Sequence, residues 1–146
     1  MSSENIALLI GGIVPALLLG IFPLLQKSAT NSGIGIGPYI ISAGVGIVIV
    51  GVVLCFICRD NTFTLTSSSK ALFSGVIWAG ASACILIALI HYQAPITKLI
   101  PLVNTNSLIA VVLGLLIFSE WKNVNVTQLC IATAIIIFGS ILVAKA

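Results

Sequence analysis

The stretch IGIGPYIISAGVGIVIVGVVLCFIC, from Ile34 to Cys58, runs through 25 consecutive residues without one charged side chain. A helix rising about 1.5 Å per residue needs about 20 apolar residues to cross a hydrocarbon core about 30 Å thick. Ile34 to Cys58 meets that requirement with residues to spare. Lipid offers no hydrogen-bond partner to a bare backbone, so a crossing of this length must be a helix; barrel strands are about half as long and alternate in polarity.

Four further stretches outward from this one have the same character: Ile6 to Leu25, Ala71 to Ile90, Ile96 to Phe118 and Val126 to Ala144. The expected fold class is therefore all-α, a polytopic membrane protein whose residues 1–146 form a single unit, a bundle of five transmembrane helices. Composition agrees, since 60% of residues are hydrophobic and 6% charged. So few charges cannot clothe a water-soluble domain. The opening Met1-Ser2-Ser3-Glu4 has no basic segment, and the first apolar run is too long for a signal peptide, so it is expected to stay as a span.

The connections are short. Lys27 to Gly33 is expected to join spans one and two, and Arg59 to Lys70, with Asp60, Asn61 and the Ser67-Ser68-Ser69 run, to form a polar turn. His91 to Pro95 and Ser119 to Asn125 complete the set. None leaves room for an extramembrane active site. Five spans also place the two ends on opposite sides of the bilayer, so a second copy in tandem would be inverted.

Cytoplasmic flanks normally carry the excess of Lys and Arg. Here one set of flanks holds Arg59, Lys70 and Lys122, and the other holds Lys27, Lys98 and Lys145. The balance fits a chain that inserts both ways round and pairs with its own inverted copy. Six charges are also a small sample, and a fixed orientation stays open.

In lipid, helices associate through close packing of small residues. Gly12, Ala16 and Gly20 supply such a face on span one, Gly75, Ala79 and Ala83 on span three, and Asn106, Ala110 and Gly114 on span four. Cys55 and Cys58 have redox-motif spacing but end a lipid-length helix with no second pair. Together with Cys84 and Cys130 they read as small apolar side chains.

Polar residues at membrane depth are the best pointers to a site, because each is costly unless it pairs or meets water. Asn104-Thr105-Asn106-Ser107 in the middle of span four is the densest group, and four consecutive residues face all round a helix. Asn104, Asn106 and Ser107 are candidate substrate-binding residues. On span three, Ser74, Trp78 and Ser82 recur at every fourth position, an aromatic surface between two hydroxyls; Trp78 and Ser82 join the candidates. Pro15 lies near mid-span after Gly11 and Gly12, where a kinked or unwound helix would line a path or simply pack bent. His91 and Lys98 gather at one membrane face as a candidate pathway mouth, although Lys98 could equally snorkel to the interface. Tyr92 and Trp121 suit an interfacial aromatic belt.

The acids are Glu4, Asp60 and Glu120, all outside the spans or at their ends. No carboxylate is thus expected at mid-membrane to carry a proton or neutralise a cationic drug. There is no metal-ligand cluster, no Ser/His/Asp set and no phosphate-cradling loop, so the chain reads as a non-enzyme without cofactor or metal. Nothing points to nucleic acid.

The C-terminal third carries a family resemblance. Pro101-Leu102, the polar run to Ser107, then Leu113-Gly114-Leu115-Leu116-Ile117-Phe118-Ser119-Glu120, and after a short loop Ile131 to Leu142 with Gly139, resemble the fourth and fifth helices of an EamA-type unit of the drug/metabolite transporter superfamily. Ser119 stands where those units usually have glycine, and the likeness is motif-specific only over about the last third of the chain. It implies a ten-helix working unit of two inverted five-helix halves with a site between them and alternating access, the second half coming from another polypeptide. Glu120 would then be a helix-end determinant.

The expected function is alternating-access transport of a small, neutral or zwitterionic metabolite across the cell inner membrane. The partners would be that solute, the bilayer, and an inverted second copy or a similar half-transporter. Two alternatives stand beside it. One is an exporter of drugs or cations like the small multidrug resistance proteins, which have four spans and a buried glutamate lacking here. The other is a non-transporting membrane assembly subunit.

Overall fold

A computed structural model describes residues 3–58, 62–118 and 125–145. Those residues hold helices and no strand. In chain order the helices are α1 (Ser3–Leu8), a π-helical turn (Leu9–Ile13), α2 (Val14–Asn31), α3 (Ile36–Cys58), α4 (Leu65–Ile90), α5 (Ile96–Val103), α6 (Asn106–Phe118) and α7 (Val126–Lys145). Four helical stretches are long and apolar enough to cross a membrane: Asn5–Asn31, Ile36–Cys58, Leu65–Ile90 and Ile96–Phe118. With its 20 residues α7 reaches about 30 Å as well. These are the dimensions of a multi-pass membrane protein.

Exposure supports the same conclusion. No residue of α3 is buried, and Val50, Leu54, Phe56 and Ile57 all lie open. Water would penalise such a surface by roughly 25 cal/mol per Å². Lipid does not, because its tails are as apolar as the side chains.

Two helix ends differ from the sequence expectation, each for a local reason. Helix α2 continues to Asn31 where a connection starting at Lys27 is expected. Its end is closed by Gly33, whose φ of +87° suits a residue without Cβ. The Gly33 N–H donates to the Thr30 carbonyl at 3.0 Å and the Ile34 N–H to the Ala29 carbonyl at 3.4 Å. That is the Schellman arrangement. Helix α4 likewise starts earlier than Ala71, so Ser67, Ser68, Ser69 and Lys70 lie in helix and not in a polar turn. Thr64 caps it, its Oγ1 accepting the Ser67 N–H at 3.3 Å. Serines near a helix start are tolerated because their hydroxyls bond the local backbone, as Ser69 Oγ does to the Thr66 carbonyl at 3.0 Å. Arg59, Asp60 and Asn61 of the expected turn lie outside the described residues. So do Ser119, Glu120, Trp121 and Lys122 of the last connection.

The chain divides into two compact units, Met1–Gln93 and Ala94–Ala146. In the first, α4 packs against both α2 and α3. Its core is small: Pro23 and Gln26 from α2, and Ser82, Leu86 and Leu89 from α4. The Phe22 and Trp78 rings meet beside it, with centroids 5.9 Å apart and planes tilted by 51°. In the second unit α5 packs against α7. Thr133 and Ser140 of α7 are buried, and each hydroxyl donates to a carbonyl one turn back, Leu129 at 2.7 Å and Ile136 at 2.9 Å. Asn125 starts α7 by accepting the Gln128 N–H on its Oδ1 at 3.2 Å.

The glycines of the small-residue faces on spans one and three have open space beside them among the described residues. A methyl group added at Gly12, Gly20 or Gly75 would meet no atom within 4 Å. The four cysteines are free thiols on exposed positions, in line with their reading as apolar side chains.

Candidate functional site

The fourth crossing is not one helix. Pro101 has no N–H to give the turn before it, and its ring crowds the carbonyl four residues back. Three residues on, regular helix lapses over Asn104 and Thr105: Asn104 caps α5 with its N–H still on the Ile100 carbonyl at 2.9 Å, and Asn106 begins α6. Through the break the backbone tightens to bonds three residues long. The Thr105 N–H donates to the Leu102 carbonyl at 3.2 Å, Ser107 N–H to Asn104 at 3.2 Å, and Leu108 N–H to Thr105 at 3.0 Å.

A continuous helix would have paired Thr105 N–H with the Pro101 carbonyl and Ser107 N–H with that of Val103. Both carbonyls lose those donors. The two hydroxyls do not replace them: Thr105 Oγ1 donates to the Leu102 carbonyl at 2.7 Å and Ser107 Oγ to that of Asn104 at 2.9 Å. Asn104, Asn106 and Ser107 are exposed. The break lies about 12 Å along the helix from Ile96 and about 20 Å from Phe118, near the middle of the crossing.

Of the other sequence candidates, Lys98 belongs to the same unit and is exposed in the first turn of α5. The first unit holds the rest. Pro15 is half-buried, directly after the π-helical turn, in which the Val14 N–H reaches five residues back to the Leu9 carbonyl. Pro15 has no N–H to give the turn before it, and the wide turn lies where that bond is missing; Gly11 and Gly12 inside it bring no side chains to obstruct it. His91 caps the end of α4 with its N–H on the Ile87 carbonyl at 2.9 Å, and its side chain is exposed.

Trp78 lines an open groove of about 640 Å³ between α3 and α4. Ile40, Gly44 and Ile47 form one wall and Ser74, Gly75 and Trp78 part of the other. The volume comes from the glycines, which leave room that side chains would fill. Ser82, two turns beyond Ser74, does not line this groove; it is buried with Leu86 and Leu89. The repeat of Ser74, Trp78 and Ser82 is thus split, because a four-residue step turns about 40° past a full revolution and two steps carry Ser82 off the face.

One residue escapes the sequence reading altogether. Gln26 is fully buried, and neither its Oε1 nor its Nε2 finds a hydrogen-bond partner. Gln26 falls between the expected span end at Leu25 and the expected connection from Lys27, and neither assigns it a role. The signal was its position three residues after Pro23, on the buried side of α2.

Among the described residues no group of three or more His, Cys, Asp or Glu side chains could hold a metal ion. Comparison with family models, curated proteins and solved structures finds no match to this chain.

Proposed function

We propose that the chain is a five-helix unit of an alternating-access transporter for a small neutral or zwitterionic solute. The carrying observation is the interruption of the fourth crossing at Asn104 and Thr105, near mid-membrane. Non-helical backbone at that depth is tolerated where protein or a water-filled cavity satisfies it, and discontinuous helices are how many transporters build midplane sites. The Asn104 and Asn106 amides each offer a donor pair and an acceptor there, and the Pro101 and Val103 carbonyls add acceptors without charge.

The likeness of this helix pair to EamA-type units supports an inverted second unit as partner. The balanced flanking lysines and arginine would let a second copy supply it. Membership of the drug/metabolite transporter superfamily and residence in the cell inner membrane belong to the same proposal. The test is uptake into proteoliposomes with a panel of amino acids, sugars, nucleosides and cations. Uptake lost in Asn104→Ala and Asn106→Ala, with the protein still assembled, supports the site; unchanged uptake in both removes it.

A further inference from the structure

Gln26 is the feature of the first unit that packing alone does not explain. A buried amide with no partner forgoes the hydrogen bonds that water or another protein group would give it. Only Pro23 and Gln26 of α2 are buried, so the face that α2 turns inward is narrow and carries this amide. Its surroundings are organised. One turn before Gln26 on α2 is Phe22, and one turn before the buried Ser82 on α4 is Trp78; these two rings meet at 5.9 Å with their planes tilted by 51°. Trp78 also lines the 640 Å³ groove between α3 and α4. The aromatic pair therefore stands between an open, uncharged groove and a closed interface holding an unpaired amide.

We propose that Gln26 is the specificity-determining residue of a solute site that opens between α2 and α4, and that the site takes a neutral planar molecule carrying a donor and an acceptor side by side on one edge. A primary amide presents one acceptor and two donors in a plane, so its complement is another carboxamide, a lactam or a nucleobase edge. The faces of Phe22 and Trp78 suit a flat ring. Among the described residues no charged side chain lines the groove, and Ser74 supplies a hydroxyl on the way in. The packed state is the closed one, and parting α2 from α4 frees the amide to bind. This rests on the transporter reading but uses residues separate from the break in the fourth crossing.

The test uses the full chain in proteoliposomes and four probes: nicotinamide, uracil, N,N-dimethylnicotinamide and nicotinate. Saturable binding of nicotinamide and uracil is expected, at least about tenfold tighter than of the dimethylated amide, which keeps the ring and loses the donors. Nicotinate, with its charge, is expected to bind no better than the dimethylated amide. Gln26→Leu should weaken nicotinamide and uracil by about tenfold or more and leave the dimethylated amide unchanged; Ser82→Ala should weaken them several-fold. In the ligand-free protein Gln26→Leu should raise the thermal midpoint, since it removes an unpaired amide at similar volume.

Equal binding of the two amides, no effect of Gln26→Leu on binding, or a lowered midpoint in that variant would each overturn the proposal. Uptake of some other solute, lost in Asn104→Ala, with no binding of nicotinamide or uracil, would overturn it and leave the transporter reading intact. Selective Gln26-dependent binding with no transport of any solute would uphold it and sink the transporter reading.

Discussion

Helices α2 and α5 both end by giving up α-helical hydrogen bonds, and they treat the freed carbonyls in opposite ways. At the end of α2, Gly33 enters the left-handed region, and the Gly33 and Ile34 N–H groups turn back onto Thr30 and Ala29. At the end of α5 no glycine is present. The Thr105 and Ser107 N–H groups move to nearer acceptors, and the carbonyls of Pro101 and Val103 lose theirs. The first end lies beyond the expected lipid-length run of Ile6 to Leu25, where water can reach; the second lies near mid-crossing, where lipid has nothing to offer. The chain closes the end that solvent would have satisfied and leaves open the one that only protein, water or a solute can satisfy. That inversion is what supports the site proposed at the break.

Substitutions can break or sharpen this contrast. The largest effect is expected from Asn104→Ala and Asn106→Ala, with solute uptake in proteoliposomes falling at least about tenfold, the equivalent of 1.4 kcal/mol or more in binding. Pro101→Ala comes next. Restoring an N–H toward the Thr97 carbonyl and removing the ring should stiffen α5 ahead of the break, raising stability by up to about 3 kcal/mol and slowing uptake several-fold. A thermal midpoint that falls in Pro101→Ala would mean that the ring's packing outweighs the hydrogen bond it removes.

At the other end, Gly33→Ala should cost about 1 to 2 kcal/mol, because its φ of +87° is strained for any residue with a Cβ, although space for the methyl is free. A shift of the thermal midpoint downward by a few degrees would report it, with uptake per folded molecule unchanged. The smallest effect belongs to Thr64→Ala, where loss of the cap on α4 should cost about 1 kcal/mol. If Thr64→Ala or Gly33→Ala reduced transport as strongly as Asn104→Ala, the distinction between structural and functional helix ends would fail.

Much of the fold was legible before any coordinates. The second span is bounded within two residues, the fourth has the expected limits of Ile96 and Phe118, and the Asn104 to Ser107 cluster falls on the break. Those features depend on runs of apolar residues and on the cost of polar groups among them, both readable locally. The C-terminal end of α2 and the start of α4 lie in polar sequence that resembles loop. Thr30 and Ser69 direct their hydroxyls to the backbone of their own turns, and the Ser67 hydroxyl accepts that of the capping Thr64, which lets a helix continue through polar sequence. The interruption itself was hidden, since Pro101 within a helix permits a kink, a break or a plain bend, and neighbouring bonds decide among them.

By itself, then, the amino-acid order determined that this chain forms helices long and apolar enough to cross a membrane, how many apolar runs it has, and where polarity concentrates within them. Lipid imposes those outcomes residue by residue, through length and desolvation alone. Only the tertiary structure decided which polar side chains are open and which are enclosed. Asn104 and Asn106 emerge exposed, Trp78 faces a groove between α3 and α4, and Gln26, with Ser82, disappears into the packing of α2 against α4. Burial of a side chain depends on which helix lies against it, and the partners of Gln26 and Trp78 come from segments remote in the chain that no local pattern can specify.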